Sequence, residues 1–200
     1  MDTKKIFDVL ALLFVIVTHE LGHGYAALLN GDKTAKNADR LSFNPLKHLD
    51  LMGTLFLIVF KFGWAKPVPI DISQFKNRNL GLFTVSLAGI FVNMLTAIIS
   101  IAILMIFGEK LGDFAIFFTL LASYGILFAV FNLIPVPPLD GSKIVASFLP
   151  DKYKYYMFKY EKYFYIVLVA VLILNRKTLF VSKISNDIFL FIVETLSKII

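Results

Sequence analysis

The chain has 200 residues, of which 58% are hydrophobic and only 17% charged, and its mean hydropathy is +0.77. A soluble domain is roughly half apolar and a quarter charged, so this composition excludes an ordinary water-soluble globule and argues for an integral membrane protein. The net charge of +6 sits mainly in connections between apolar runs, a polytopic pattern and no nucleic-acid signature, and the absence of Cys excludes disulfides and thiolate metal sites.

The first element is predicted as a helix over about 5–29. At 1.5 Å per residue it reaches about 37 Å, enough to cross the hydrocarbon. Its start, two lysines followed by an apolar run, looks like a secretory signal. Cleavage is not expected, because the run continues directly into His19-Glu20-Leu21-Gly22-His23. This is an HExxH pattern. Histidines four apart share one helix face and can bind one Zn²⁺, and the glutamate between them can act as general base on a zinc-bound water. Ionisable groups at membrane depth are costly, so an idle HExxH is far less expected here than in a polar helix. Asn30-Gly31-Asp32 ends the element with turn chemistry.

Residues 31–80 read as a polar, basic connection with one apolar interruption. Leu51 to Phe60 is too short to span, so a membrane-associated hairpin or re-entrant segment is expected around 51–70. Pro67 and Pro69 force extended backbone there. The segment could pair with an unwound substrate by strand addition, or simply cover a cavity.

A second span is predicted at about 80–107 and a third at about 113–133. The short link Gly108–Gly112 makes them antiparallel. The third span stops at the prolines of Asn132-Leu133-Ile134-Pro135-Val136-Pro137-Pro138. A short helix over 141–149, a basic Tyr-rich interfacial stretch at 152–162 and a fourth span at about 163–175 follow. The stretch 187–200 has helical apolar spacing, fitting a short span or an amphipathic surface helix. With four alternating spans, 13 of the 20 Lys and Arg fall on the side holding 31–79 and 134–162. That side is expected in the cytoplasm, with the His pair toward it.

Two histidines do not complete a catalytic zinc site, which usually has three protein ligands. His48, Asp50, Asp71 and Asp140 are candidates. Asp140 fits best, because it follows the proline break on the side where the first span ends. Capping the next helix is an equally good reading of it on spacing alone. His48 reads as a loop histidine. Asn93 shares a face with Gly89 in the second span; close packing is the first reading and a group aimed at substrate or a developing oxyanion the second. Asn132 carries the same two readings, with its place beside the proline break favouring the site.

These residues resemble the site-2 protease family of intramembrane zinc metalloproteases. His19–His23 is similar to the family's HExxH, Gly89-Ile90-Phe91-Val92-Asn93 to its GxxxN element, and Asn132 to Gly141 to its NxxPxPxLDG motif. Asn44–Asp50 and Gly63–Pro69 are similar to the small subgroup without a PDZ domain. The likeness covers about residues 5–145. It implies His19, His23 and Asp140 as ligands of one Zn²⁺ per chain, Glu20 as the base, and a site role for Asn93 and Asn132.

The expected fold is an all-α polytopic membrane protein with a three-helix catalytic core and one or two further C-terminal helices. One protease domain over 1–200 is expected, with its core at 5–145 and C-terminal helices at 146–200. The expected activity is hydrolysis of peptide bonds in or near transmembrane segments of a membrane-protein substrate. The expected setting is the lipid bilayer of a prokaryotic cell membrane, with the active site nearer the cytoplasmic face. Three rival readings are a membrane zinc carrier, a non-catalytic scaffold and a prenyl-protein endopeptidase. A carrier needs no glutamate between the histidines. The complete ligand-plus-base set speaks against a scaffold. Glu109, Glu161 and Glu194 lie in no motif that would supply the endopeptidase's third ligand.

Overall fold

The computed structural model describes residues 3–50, 52–53, 55, 65–174 and 179–200, with side chains at 172–174 and 179–180 left undescribed. The chain is an all-helical polytopic membrane protein. Helices α1 (Thr3–Leu29), α3 (Arg78–Phe107) and α4 (Phe114–Asn132) are each long and apolar enough to cross a membrane. A one-turn helix α2 (Thr34–Asn37) follows α1. Short helices α5 (Asp140–Ser147) and α6 (Asp151–Lys159), then α7 (Glu161–Leu174) and α8 (Leu179–Leu196), complete the chain.

The three long helices pack on one another pairwise. Small residues allow the approach. A Cβ on Gly125 of α4 would stand 2.7 Å from the Asn93 carbonyl oxygen of α3. Between α1 and α4, Ala11 and Val15 bury against Leu121, and the Tyr124 hydroxyl donates to Asp8. Asp8, the lone charge in the apolar start of α1, therefore has a partner, as a carboxylate at membrane depth requires. The outward faces stay apolar, with Phe14, Phe91, Leu95 and Ile99 exposed as lipid-facing side chains.

The link between α3 and α4 turns at Gly108 and Gly112, with φ of 35° and 51°. A Cβ is disfavoured in that region, which is why glycine ends the helix. Helix α8 lays Val181, Ile184, Ile188 and Ile192 on a cluster of α3 and α4 that includes Ala97, Ile101 and Ile126. Of the helical period expected over 187–200, Ile188, Ile192 and Leu196 form a packing stripe and Phe191 and Ile199 are exposed, with Lys183, Asp187 and Glu194. Helix α7 has 14 residues. Its far end borders 175–178, so the fourth span expected at about 163–175 is only partly covered by the described residues. Three helices qualify as candidate spans there.

Most of the hairpin expected around 51–70 lies outside the described residues. Its end at 65–71 is an extended strap. Ala65 bridges Leu49 in antiparallel register, and the Lys66 N–H donates to the His48 carbonyl at 2.8 Å. Asp32, 1% exposed, fixes the other end: its carboxylate accepts the Asp71 N–H at 2.8 Å and the Thr34 N–H at 2.8 Å. Asp71 in turn accepts from Ser73 and Gln74, and these bonds hold its carboxyl below the usual carboxylate range.

Replacing Asp32 with alanine leaves two backbone donors without their buried acceptor and is expected to lower stability by about 1–3 kcal/mol. Chemical unfolding in detergent measures this. An unchanged midpoint would show that Asp32 does not anchor the strap.

Candidate metal centre

Helical spacing puts His19 and His23 on one face of α1, and that face meets α3 at Gly89. A Cβ on Gly89 would lie 2.5 Å from His23 Nε2 and 2.6 Å from His19 Cε1, so only glycine admits both rings. The imidazoles meet edge to face, with centroids 4.5 Å apart and planes at 87°. Each ring also contacts α3 through its Nδ1. His23 Nδ1 lies 2.7 Å from the Val85 carbonyl oxygen, and His19 Nδ1 lies 3.1 Å from the Asn93 amide nitrogen. Residues 85, 89 and 93 are successive turns of one face of α3.

The third group arrives from the proline break. After α4 ends at Asn132, the chain turns and starts α5 at Asp140. Leu139 occupies the cap position with no side-chain cap bond, so Asp140 is the first helical residue and does not cap. Its Oδ2 lies 3.3 Å from His19 Nε2 and 3.1 Å from His23 Nε2, and the two Nε2 atoms are 3.0 Å apart. All three residues are buried. Asp140 Oδ2 has no hydrogen-bond partner despite these distances. Its other oxygen, Oδ1, faces the Lys143 ammonium at 3.7 Å.

Such an arrangement suits a cation between the three atoms. Zinc bonds to N and O of about 2.0–2.1 Å imply tetrahedron edges of about 3.3 Å, close to the separations here. A buried carboxylate oxygen aimed at two imidazole nitrogens without hydrogen bonds is otherwise costly. Two imidazoles and one carboxylate are a zinc-compatible donor set that leaves a fourth position. No other cluster of three His, Asp or Glu with this geometry occurs among the described residues.

Glu20 is half-buried and borders a cavity of about 200 Å³ together with His19, Ile16, Ala65, Phe128, Phe131 and Asn132. Its Oε2 accepts the Val68 N–H at 2.7 Å. Val68 lies between two prolines, so it holds the only backbone donor from 67 to 69. The Arg40 guanidinium donates to the carbonyls of Lys66 at 2.9 Å and Pro67 at 3.1 Å, holding the strap from outside.

The candidates from sequence divide by position. His19, Glu20, His23 and Asp140 converge. Asn132 borders the cavity beside Glu20, its amide donating to the Phe128 carbonyl at 3.0 Å. Asn93 is fully buried behind His19 and does not line that cavity. His48 is buried elsewhere, its ring nitrogen 2.8 Å from the Ser42 carbonyl oxygen. Sequence reasoning missed Val85, Val68, Arg40 and Lys143. Lys143 had a readable signal, three residues after Asp140 on a helix. The Val68 and Val85 contacts are made by backbone atoms and leave none.

The fold and site define a polytopic membrane protein with a buried two-histidine, one-aspartate cluster, and comparison with known proteins narrows it. The profile of Peptidase family M50 matches residues 7–114 and 109–175, and the chain belongs to that family. A Bacillus subtilis relative, YwhC, is 36% identical over 173 residues, covering 82% of this chain and 79% of the relative. Rip2 of Mycolicibacterium smegmatis is 28% identical over 176 residues, covering 82% of this chain and 66% of Rip2. MJ0392 of Methanocaldococcus jannaschii is 27% identical over 145 residues, covering 72% of this chain and 35% of MJ0392. All three are named as zinc metalloproteases. No solved structure matches the chain.

Gly89→Ala is expected to abolish stoichiometric zinc retention after desalting while the helical circular dichroism stays unchanged. A variant that still holds one zinc per chain would mean the imidazoles do not depend on this contact.

Proposed function

We propose that this M50 metalloprotease hydrolyses peptide bonds in or near transmembrane segments of membrane proteins, using one zinc held by His19, His23 and Asp140. The observation that carries the reading is the buried convergence of those three ligand atoms within 3.3 Å of one another, beside a glutamate that faces a cavity. Bound there, zinc supplies an acidified water and polarises the scissile carbonyl.

The protein's own groups do the rest. Glu20 takes a proton from the attacking water as the water oxygen bonds to the carbonyl carbon. It returns that proton to the amide nitrogen as the C–N bond breaks. The Val68 N–H engages one carboxylate oxygen, which fixes the carboxylate plane and leaves the other oxygen for this transfer. Arg40 acts at one remove, by holding the strap that carries Val68. Asn132 stands on the cavity wall, where its second amide hydrogen can meet the substrate carbonyl oxygen. Lys143 balances the charge on the outer oxygen of Asp140.

The site lies about 15 Å inside the end of α1, counting from His19 to Leu29 at 1.5 Å per residue. A substrate helix must unwind to present a carbonyl there. The basic connections flank the end of the bundle that carries the site, which favours a cytoplasmic location for that end in a cell membrane. We infer one protease domain over 1–200, with its core at 5–145 and C-terminal helices at 146–200, of which α8 packs on that core.

Purified protein is expected to cut a model transmembrane substrate, and Glu20→Gln to slow cleavage by at least about 100-fold with zinc retained. Metal flux into vesicles that survives Glu20→Gln, without cleavage, would instead identify a carrier. A second expectation concerns the strap. Arg40→Leu should lower kcat by about 10- to 100-fold at unchanged zinc content, because the base loses its fixed position. Wild-type kcat in that variant would remove Arg40 from the mechanism.

A further inference from the structure

Asn93 is a buried polar side chain of the bundle interior that the proposed reaction does not use. Asn93 is 0% exposed, and its amide nitrogen lies 3.1 Å from His19 Nδ1 while its Oδ1 is buried with no partner. Its backbone carbonyl is closed over by α4 at Gly125, so nothing diffusing through the cavity reaches it. A group so enclosed does not touch a peptide substrate, but it does touch a candidate ligand.

The chemistry of the imidazole decides what that contact means. If His19 coordinates metal through Nε2, its proton resides on Nδ1, and Nδ1–H needs an acceptor. An amide NH₂ facing Nδ1–H would set donor against donor. Turning the amide half a turn exchanges two groups of nearly equal size. It places Oδ1 on Nδ1–H and gives the orphaned oxygen its partner. In the metal-free site the other tautomer is available. His19 then carries its proton on Nε2, near Asp140 Oδ2 at 3.3 Å, and bare Nδ1 accepts from the NH₂. His23 has no such choice, because the Val85 carbonyl only accepts and fixes its proton on Nδ1.

We propose that Asn93 is the positioning residue of His19, its amide presenting NH₂ to Nδ1 in the metal-free site and turning to present its carbonyl when metal binds. Asparagine serves both states, because it is donor and acceptor in one neutral group. Aspartate could serve only the loaded state and would leave a buried charge in the empty one. Leucine would serve neither.

This inference rests on the metal reading of His19, His23 and Asp140, and the test separates the two. Zinc affinity of the full-length protein in detergent is measured by competition with a chromogenic chelator, for wild type, Asn93→Leu and Asn93→Asp. The expected result is a loss of about 10- to 100-fold in Asn93→Leu and near-wild-type affinity in Asn93→Asp. Wild-type affinity in Asn93→Leu, with cleavage slowed, would overturn the proposal and return Asn93 to a role toward substrate. Equal losses in both variants would overturn it in favour of simple packing. Wild type that binds no zinc would remove the metal reading and this proposal together. Should Asn93→Leu fail to fold, ¹⁵N spectra of the wild-type histidines decide. A slowly exchanging His19 Nδ1–H that appears only with zinc supports the turning amide, and an unprotonated Nδ1 with zinc bound overturns it.

Discussion

The contact of two imidazoles with the backbone of α3 at Gly89 organises this protein. Rings this close to a helix have no room for a side chain beneath them, and they leave each Nδ1 facing α3. The helix that accommodates the rings therefore also supplies the partners of both Nδ1 atoms, one turn to either side at Val85 and Asn93. The two Nε2 atoms lie 3.0 Å apart and within 3.3 Å of Asp140 Oδ2, on the chain segment that follows the proline break. One close approach thus sets ring orientation and the place where a third ligand is useful.

The membrane makes that economy necessary. Water cannot rescue a misdirected polar group in the hydrocarbon, so each one must find its partner inside the bundle. Asp8 takes the Tyr124 hydroxyl, and Asp140 Oδ1 faces Lys143. The buried atoms that lack a partner include Asn93 Oδ1 and Asp140 Oδ2, both within reach of the imidazoles.

Much of this was readable in the sequence, and the limits have physical causes. The HExxH spacing, the i, i+4 pair of Gly89 and Asn93, and an acid after a proline break each follow from helix geometry. The three long spans follow from hydropathy. Asp140 could not be told from a cap by spacing, because both roles require an acid at a helix start; only the direction of its side chain separates them. The roles of Val68 and Val85 are played by backbone atoms, which any residue carries. The apolar run of α7 matches a membrane span in composition, but composition does not fix where a helix ends. The stripe of α8 was visible as a period, but a period does not say whether the partner surface is lipid or another helix.

Four separate chain segments meet at the site. Helix α1 brings the reactive groups, α3 orients the rings, the start of α5 brings the acid, and the strap at 65–71 holds the base. No two consecutive segments suffice, so the site exists only when the bundle is assembled. A metal shared by α1 and α5 would add a cross-link between segments about 120 residues apart. Any ligand that binds only the assembled state stabilises it. The strap is tied instead by hydrogen bonds to Asp32, His48 and Arg40, all in the connection that follows α1. Glu20 and the three candidate ligands are therefore secured by different means, and movement of the strap would leave those three in place.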